Sequence, residues 1–193
     1  MVHFVGAGSG AVDLITVRGA KLLGTADVII YAGSLVNPEL LSYAKPDCAI
    51  HNSAEMTLEQ VIDVIRDAEA AGKTTVRLHT GDSSIYGAVR EQFDALEALG
   101  IAYDVCPGVS AFCGAAAALR AEYTLPDVSQ TVIITRAAGR TPVPERESIR
   151  ALAQHQATMV LFLSTSLTKT LQEELLAGGY TQQTPAAIVY KAT

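Results

Sequence analysis

A glycine-rich loop near the start of the chain could bring a ligand close to the backbone. Residues 5–10 read Val-Gly-Ala-Gly-Ser-Gly after an apolar segment. Glycine has no Cβ, so such a loop tolerates positive φ and lets a ligand approach the main chain. A dinucleotide loop would have a third glycine in place of Ala11 and an acid after the second strand, where residues 31–34 carry none. The loop indicates either a nucleotide-type site that suits NAD poorly or only a tight turn.

An acid follows the third predicted strand. Residues 79–87 read His-Thr-Gly-Asp-Ser-Ser-Ile-Tyr-Gly, where a strand ends and a helix is predicted to begin. This position is the usual ligand crevice of an open α/β sheet. Asp82 could attract a sulfonium cation or hold a ribose hydroxyl, and it could equally cap the following helix. His79 is interpreted as a packed strand residue rather than a base.

A proline–glycine turn at residues 107–108 follows another predicted strand. Backbone groups of such a turn can face a ligand, but the pattern alone is unspecific. The small residues at 114–118 are equally typical of a tightly packed helix.

Three arginines form a local basic cluster in an otherwise acidic chain. Arg136, Arg140 and Arg146 lie within eleven residues. Arginine pairs bidentately with carboxylates, so we interpret the three as candidates for binding a polycarboxylate substrate. The alternative is a solvated loop without a ligand.

The composition narrows the class of protein. Of the 193 residues 49% are apolar and 18% charged, which is enough to bury a core. The longest nearly apolar run, residues 109–119, is far shorter than the roughly 20 residues that span a bilayer, and the first residues lack a signal-peptide pattern. A net charge of −6 argues against nucleic acid. We therefore expect a cytoplasmic protein with no membrane and no nucleic-acid partner.

The cysteines and histidines indicate neither a disulfide nor a metal site. Cys48, Cys106 and Cys113 are odd in number and lack CxxC spacing, which favours free thiols. The four histidines are far apart and show no metal-ligand spacing. No protein-bound metal is expected.

Apolar runs and helical patterns alternate along the chain and predict an α/β architecture with largely parallel or mixed sheets. Thr57 and Gln60 have the spacing of a capping box. Helical spacing continues over residues 61–72, 85–100 and 167–179, each ending at glycine. The break at residues 107–108 predicts two α/β domains, 1–108 and 109–193. The predicted strands are residues 3–6, 27–31, 74–79, 102–106, 131–135, 159–163 and 186–190.

These segments, in this order and spacing, resemble the tetrapyrrole (corrin and porphyrin) methylases over essentially the whole chain. Three stretches are similar to the branch that methylates precorrin-4 or cobalt-precorrin-4 at C-11: residues 13–19 with 31–36, residues 79–82 with 86–88, and residues 130–145. The resemblance implies two α/β domains with the ligand cleft between them, and a homodimer. It also implies S-adenosylmethionine as methyl donor and a corrinoid tetrapyrrole of cobalamin biosynthesis as substrate.

The resemblance also implies which residues contact the donor. Ser9, Ala11 and Ser83 depart from the family's usual proline, acid and proline, which could loosen the loops without removing a group the chemistry needs. Family members usually continue by further strands beyond residues 189–193, so the second sheet is expected to be shortened or truncated. The expected donor contacts are Ser9, Gly81, Asp82, Ile85, Ser110, Ala111, Leu163 and Ala192.

The implied reaction is an in-line displacement at the donor methyl by a ring carbon. A sulfonium is already activated, so catalysis is expected to depend mainly on proximity and orientation. No residue stands out as a catalytic group or general base. Three alternatives remain: methylation at another ring position or of another substrate, an NAD-type oxidoreductase suggested by the glycine loop, and a binding module without turnover.

Overall fold

The computed structural model describes residues 1–139 and 141–193, and only the backbone at Ser34. Contacts divide the chain into two compact units: Met1–Ala118 with Lys191–Thr193, and Leu119–Tyr190. The sequence places the domain boundary after Gly108, ahead of a helix that the contacts assign almost entirely to the first unit. No helix among the described residues has the length and apolar character needed to cross a membrane.

The first unit is built on a five-stranded parallel sheet. The strands are β1 (Val2–Gly6), β2 (Val28–Tyr31), β3 (Ala49–Asn52), β4 (Thr75–His79) and β5 (Tyr103–Cys106). Strand β1 lies between β4 and β5, and the order across the sheet is β3-β2-β4-β1-β5. Because the strands are parallel, the loops that leave β4, β1 and β5 emerge side by side at one edge.

Helices cover both faces of this sheet. The helices are α1 (Val17–Thr25), α2 (Leu58–Ala70), α3 (Arg90–Ala98) and α4 (Ala111–Leu119). Val5 and Leu78 pack with Leu23 of α1 in one cluster, while Phe4 and Ile65 belong to a second cluster with parts of α2 and α3. Burial on both faces explains the mostly apolar character of the inner strands, which is clearest in residues 28–30 of β2.

Helix α2 begins with the predicted capping box. The Thr57 hydroxyl accepts the N–H of Gln60 at 3.3 Å, and the Gln60 side chain accepts the N–H of Thr57 at 2.8 Å. Gly72, with φ of +68°, follows the helix, as the sequence predicts.

The second unit contains a parallel pair of strands and two helices. Strands β6 (Val132–Arg136) and β7 (Thr158–Phe162) are hydrogen-bonded to each other. Helix α5 (Ile149–Ala153) packs on α6 (Thr168–Ala177). Two α/β units with parallel sheets confirm the predicted fold class.

The structure differs from the predicted secondary structure at β3, at residues 186–190 and at the start of α3. The edge strand β3 was not predicted, because its half-exposed, partly polar sequence lacks an apolar run. Residues 186–190 form no strand: they are mostly exposed and pair with no strand in the described ranges. Helix α3 begins at Arg90 rather than near Ile85, because Tyr86 and Ala88 have φ of +54° and +49°, which a helix excludes.

Candidate functional site

The loops after β4, β1 and β5 meet at the carboxyl edge of the first unit's sheet. The N–H of Gly8 donates to the carbonyl of Gly81 at 3.2 Å, and the N–H of Gly81 donates back to Gly8 at 3.0 Å. The N–H of Ala7 donates to the carbonyl of His79 at 2.7 Å. The glycine loop is therefore paired, backbone to backbone, with the segment that carries Asp82.

Glycine is needed where these loops touch one another. A Cβ on Gly6 would lie 2.6 Å from Gly108 Cα and 2.6 Å from the carbonyl oxygen of Gly81. A Cβ on Gly108 would lie 2.1 Å from the same oxygen. Three loops can thus share one narrow space, which leaves main-chain groups at the surface of the crevice.

Asp82 joins two of the loops. Its carboxylate accepts the N–H of Ser84 at 2.8 Å, the hydroxyl of Ser84, and the N–H of Gly108 at 2.8 Å. Partial burial by itself would raise the pKa of Asp82, but these hydrogen bonds outweigh it and hold the pKa below its ordinary value. The side chain is anionic at neutral pH and fixed in position.

Small residues complete the same region. An added Cβ on Gly81 would lie 3.4 Å from the nitrogen of Ala111 and 3.5 Å from Ser110 Cα, so Ser110 and Ala111 border Gly81. Ser9 packs against Gly114 of α4, where a Cβ would meet Ser9 Cβ at 2.7 Å. Seven of the eight predicted donor contacts, all except Leu163, belong to the first unit's crevice or its immediate borders.

Ala192 reaches this region through its neighbour. The hydroxyl of Thr193 accepts the N–H of Ala11 at 3.0 Å, and a Cβ on Gly10 would lie 2.7 Å from that hydroxyl. The segment Lys191–Thr193 therefore packs on the glycine loop although it is distant in sequence. Ile85 lies in the turn after Asp82, where its N–H donates to the Asp82 carbonyl at 3.2 Å.

Three buried polar atoms in these segments have no hydrogen-bond partner among the described residues: Ser9 Oγ, Thr80 Oγ1 and His79 Nε2. Buried polar groups are normally paired, so the two hydroxyls, of Ser9 in the glycine loop and of Thr80 beside Gly81, are candidates for groups that a ligand completes. Thr80 was not among the predicted contacts; only its place beside Gly81 could have suggested it.

His79 is buried at the end of β4 and stacks on Phe4, with ring centroids 6.0 Å apart. Burial, aided by the charge of Arg77, lowers the pKa of His79 to about 3. The ring is neutral at physiological pH, in agreement with its interpretation as a packed strand residue.

The remaining predicted residues belong to the second unit. Leu163 directly follows β7, has φ of +54° and is 70% exposed, so its side chain is open to solvent within this unit. Arg146 is exposed and lies 3.6 Å from the Glu147 carboxylate. Arg140 lies outside the described residues.

Arg136 holds the loop that follows it. Its guanidinium donates to the carbonyls of Ala137 at 3.2 Å, Thr141 at 3.0 Å and Pro142 at 3.0 Å. Ser164 fixes the start of this loop, because its hydroxyl accepts the N–H of Ala137 at 2.9 Å. The guanidinium of Arg136 therefore donates most of its hydrogen bonds to the carbonyls of this loop.

Comparisons with known proteins point in one direction. The family model of tetrapyrrole (corrin/porphyrin) methylases matches residues 1–193. A cobalt-precorrin-4 C(11)-methyltransferase of Methanocaldococcus jannaschii is 55% identical over all of this chain and 74% of its own length. A precorrin-4 C(11)-methyltransferase of Mycobacterium tuberculosis is 48% identical over 97% of this chain and 75% of its own.

A solved structure agrees with these relatives. The X-ray structure of a cobalamin biosynthetic enzyme, cobalt precorrin-4 methyltransferase, superposes with a TM-score of 0.97 at 47% identity. It is covered over 80% of its length by the whole of this chain. This similarity confirms the predicted tetrapyrrole methylase fold.

Proposed function

The chain belongs to the tetrapyrrole (corrin/porphyrin) methylases, and on that premise we propose that it transfers a methyl group from S-adenosylmethionine to C-11 of precorrin-4 or cobalt-precorrin-4 in cobalamin biosynthesis. The observation that carries the proposal is 55% identity over the entire chain to a relative named for this reaction. Relatives named for the metal-free and the cobalt-containing substrate both match, so the proposal includes both.

We propose that the carboxyl edge of the first sheet holds the donor. Paired glycine loops, an anionic Asp82 and the unpartnered hydroxyls of Ser9 and Thr80 offer backbone and side-chain groups within one crevice. Ile85, Ser110, Ala111 and Ala192 belong to its border, and Leu163 of the second unit remains a proposed contact. Asp82 can attract the sulfonium or accept a ribose hydroxyl.

The donor supplies an activated methyl group when it is bound, and this chain positions it. Hydrogen bonds from Ser84 and Gly108 fix the Asp82 carboxylate in one place, so it is organised before the donor arrives. The tight loop contacts at Gly81 and Gly108 restrict how far the crevice can relax. Alignment of this kind contributes most to a displacement in which the reacting atoms must approach within about 3–3.5 Å.

We propose that the loop after β6 recognises the acidic substrate. Arg140 and Arg146 are the candidates for direct contact with carboxylates, while Arg136 acts mainly by holding the loop. We also propose a homodimer in the cytoplasm, and the free state of Cys48, Cys106 and Cys113 suits a reducing compartment.

The test is incubation of the full chain with methyl-labelled donor and either precorrin-4 or its cobalt form, followed by NMR of the product. Label at C-11 is expected, and the faster substrate identifies the physiological form. Label at another ring carbon would show that the enzyme methylates that position instead of C-11. Tight donor binding without product would indicate a binding module. Calorimetry with NAD and with S-adenosylhomocysteine distinguishes a methyltransferase from an oxidoreductase, since only S-adenosylhomocysteine is expected to bind.

A further inference from the structure

A buried arginine of the first sheet faces a cavity outside the proposed donor crevice. Arg77 lies in the middle of β4 and is only 6% exposed, yet it lines a cavity of about 190 Å³. The cavity lies on the α2 and α3 side of the sheet and is also lined by Thr57, Leu58, Ala88 and Glu91. An arginine in the interior of a strand is uncommon unless its charge is paired.

The charge of Arg77 meets no carboxylate among the described residues. Its Nε donates to the side-chain oxygen of Gln92 at 3.0 Å, and its Nη1 donates to the carbonyl of Ile30 at 3.1 Å. None of the ion pairs among the described residues involves Arg77. Burial lowers the pKa of Arg77 to about 10, which leaves the guanidinium charged at neutral pH. A buried charge without a counter-ion is strongly unfavourable.

One arm of the guanidinium is not engaged by the described residues. Nε and Nη1 donate to Gln92 and Ile30, whereas Nη2 donates no hydrogen bond to them. Because Arg77 lines the cavity, Nη2 is the arm available to an occupant there. Two N–H groups in a fixed plane match the two oxygens of a carboxylate or phosphate.

The start of α2 forms another part of the cavity wall. Thr57 is the N-cap of α2 and Leu58 its first residue, and both line the cavity. This end of the 13-residue helix carries partial positive charge, but the N–H of Gln60 is already bonded to Thr57 and Glu59 adds a carboxylate, so among the described residues the Leu58 N–H is the group left for an anion. Glu91 also lines the cavity and opposes an anion there.

We propose that this cavity is a binding site for a small oxoanion group, a carboxylate or a phosphate, held between Arg77 Nη2 and the first turn of α2. Gln92 connects the site to the donor segment, because its amide donates to the carbonyl of Ala88 at 3.0 Å while its oxygen accepts from Arg77. An anion seated on Arg77 would thus fix the end of the turn that carries Asp82 and Ile85.

The direct test titrates the wild-type chain with inorganic phosphate or acetate at constant ionic strength, without donor or substrate. Saturable shifts of the Arg77 Nε–H and of the Leu58 and Ala88 amides are expected in ¹H–¹⁵N NMR. The absence of saturable shifts at these groups would overturn the proposal. Binding is measured apart from turnover, so failure here leaves the methyltransferase proposal untouched.

Two variants sharpen the test. Arg77→Met should weaken phosphate binding at least about tenfold, because it removes a charged hydrogen-bond donor. Glu91→Gln should tighten binding about two- to fivefold, since it removes a repulsive charge that is exposed to solvent. If Arg77→Met does not fold, the NMR shifts of the wild-type chain and the phosphate affinity of Glu91→Gln still test the proposed site. Unchanged or weaker binding in Glu91→Gln would contradict the proposed position.

A competition experiment identifies the source of the anion. If a polycarboxylate tetrapyrrole displaces phosphate from the cavity, the natural occupant is an acidic side chain of the substrate. If both bind together, the site takes a free inorganic anion. Either result supports an oxoanion site, and phosphate shifts that persist in a folded Arg77→Met variant would refute it.

Discussion

Gly108→Ala tests whether the crevice depends on close contact between its loops. A Cβ at this position would lie 2.1 Å from the carbonyl oxygen of Gly81, 2.7 Å from Gly6 Cα and 2.8 Å from Gly6 C. All three neighbours are backbone atoms, so no side chain can rotate away. No positive φ distinguishes Gly108, so the substitution adds a steric clash without a backbone penalty of its own.

The expected loss of stability depends on which contacts must break to relieve the clash. Relief of the clash moves the β5 loop away from Gly81 and breaks the 2.8 Å bond from the Gly108 N–H to the Asp82 carboxylate. A hydrogen bond to a charged group contributes about 1.5–3 kcal/mol, and overpacking adds about 1–3 kcal/mol. We therefore expect a loss of about 2.5–6 kcal/mol, which lowers the midpoint of thermal unfolding by about 5–24 °C in a chain of this size.

Thermal denaturation followed by circular dichroism measures the loss, and calorimetry with S-adenosylhomocysteine measures its effect on the donor site. Gly139→Ala is the matched control, because apart from its chain neighbours no described residue lies within 4 Å of a Cβ there and its φ is not positive. The control should stay within about 0.5 kcal/mol of wild type. If Gly108→Ala unfolds at the same temperature as Gly139→Ala and binds S-adenosylhomocysteine normally, the close loop contact is not what maintains the crevice.

Three further predictions concern single side chains. Asp82→Asn leaves the N–H of Gly108 or of Ser84 facing an amide N–H, so the variant should lose about 1–3 kcal/mol of stability. It should also weaken S-adenosylhomocysteine binding at least about tenfold in calorimetry. Unchanged affinity would show that Asp82 is not part of the donor site. His79 has a folded-state pKa of about 3, below its unfolded value of about 6.5, so stability should fall as pH falls from 6.5 towards 3. His79→Gln should show a shallower fall in the unfolding midpoint between pH 6.5 and 4.5, and equal slopes would contradict the cause. Arg136→Lys keeps the charge but not the fork that reaches three carbonyls, so it should lose about 1–3 kcal/mol in denaturant unfolding, whereas Arg146→Lys, exposed at the surface, should stay within about 0.5 kcal/mol.

The sequence predicted the inner strands because burial on both faces favours short, mostly apolar segments. β1 and β4 were placed to within a residue of their observed bounds, and the capping box at Thr57 has both of its expected hydrogen bonds. These features depend on local composition and spacing. The edge strand β3 escaped prediction, because half of an edge strand's environment is solvent and its residues need no apolar pattern.

The site was predicted less completely, because its decisive features are contacts between distant segments. Glycines at 6, 81 and 108 were interpreted as places where a ligand approaches, but Gly6 and Gly108 also make room for the backbone of neighbouring loops, and Gly81 has a φ of +61°. No periodicity reveals that relation. Arg77 was similarly hidden, since a single arginine inside an apolar run is read as part of the strand and only the coordinates show that its charge is unpaired.

The departures at Ser9 and Ala11 can be understood from the same tertiary contacts. A proline at position 9 would restrict the backbone within the loop, whereas in this chain contacts from other segments hold the loop in place. Ser9 packs on Gly114, and the N–H of Ala11 donates to Thr193. The carbonyl of Gly10 accepts from the Asn37 side chain at 2.9 Å. Three segments far apart in sequence therefore fix the loop, so its geometry does not depend on the family's usual residues at these two positions.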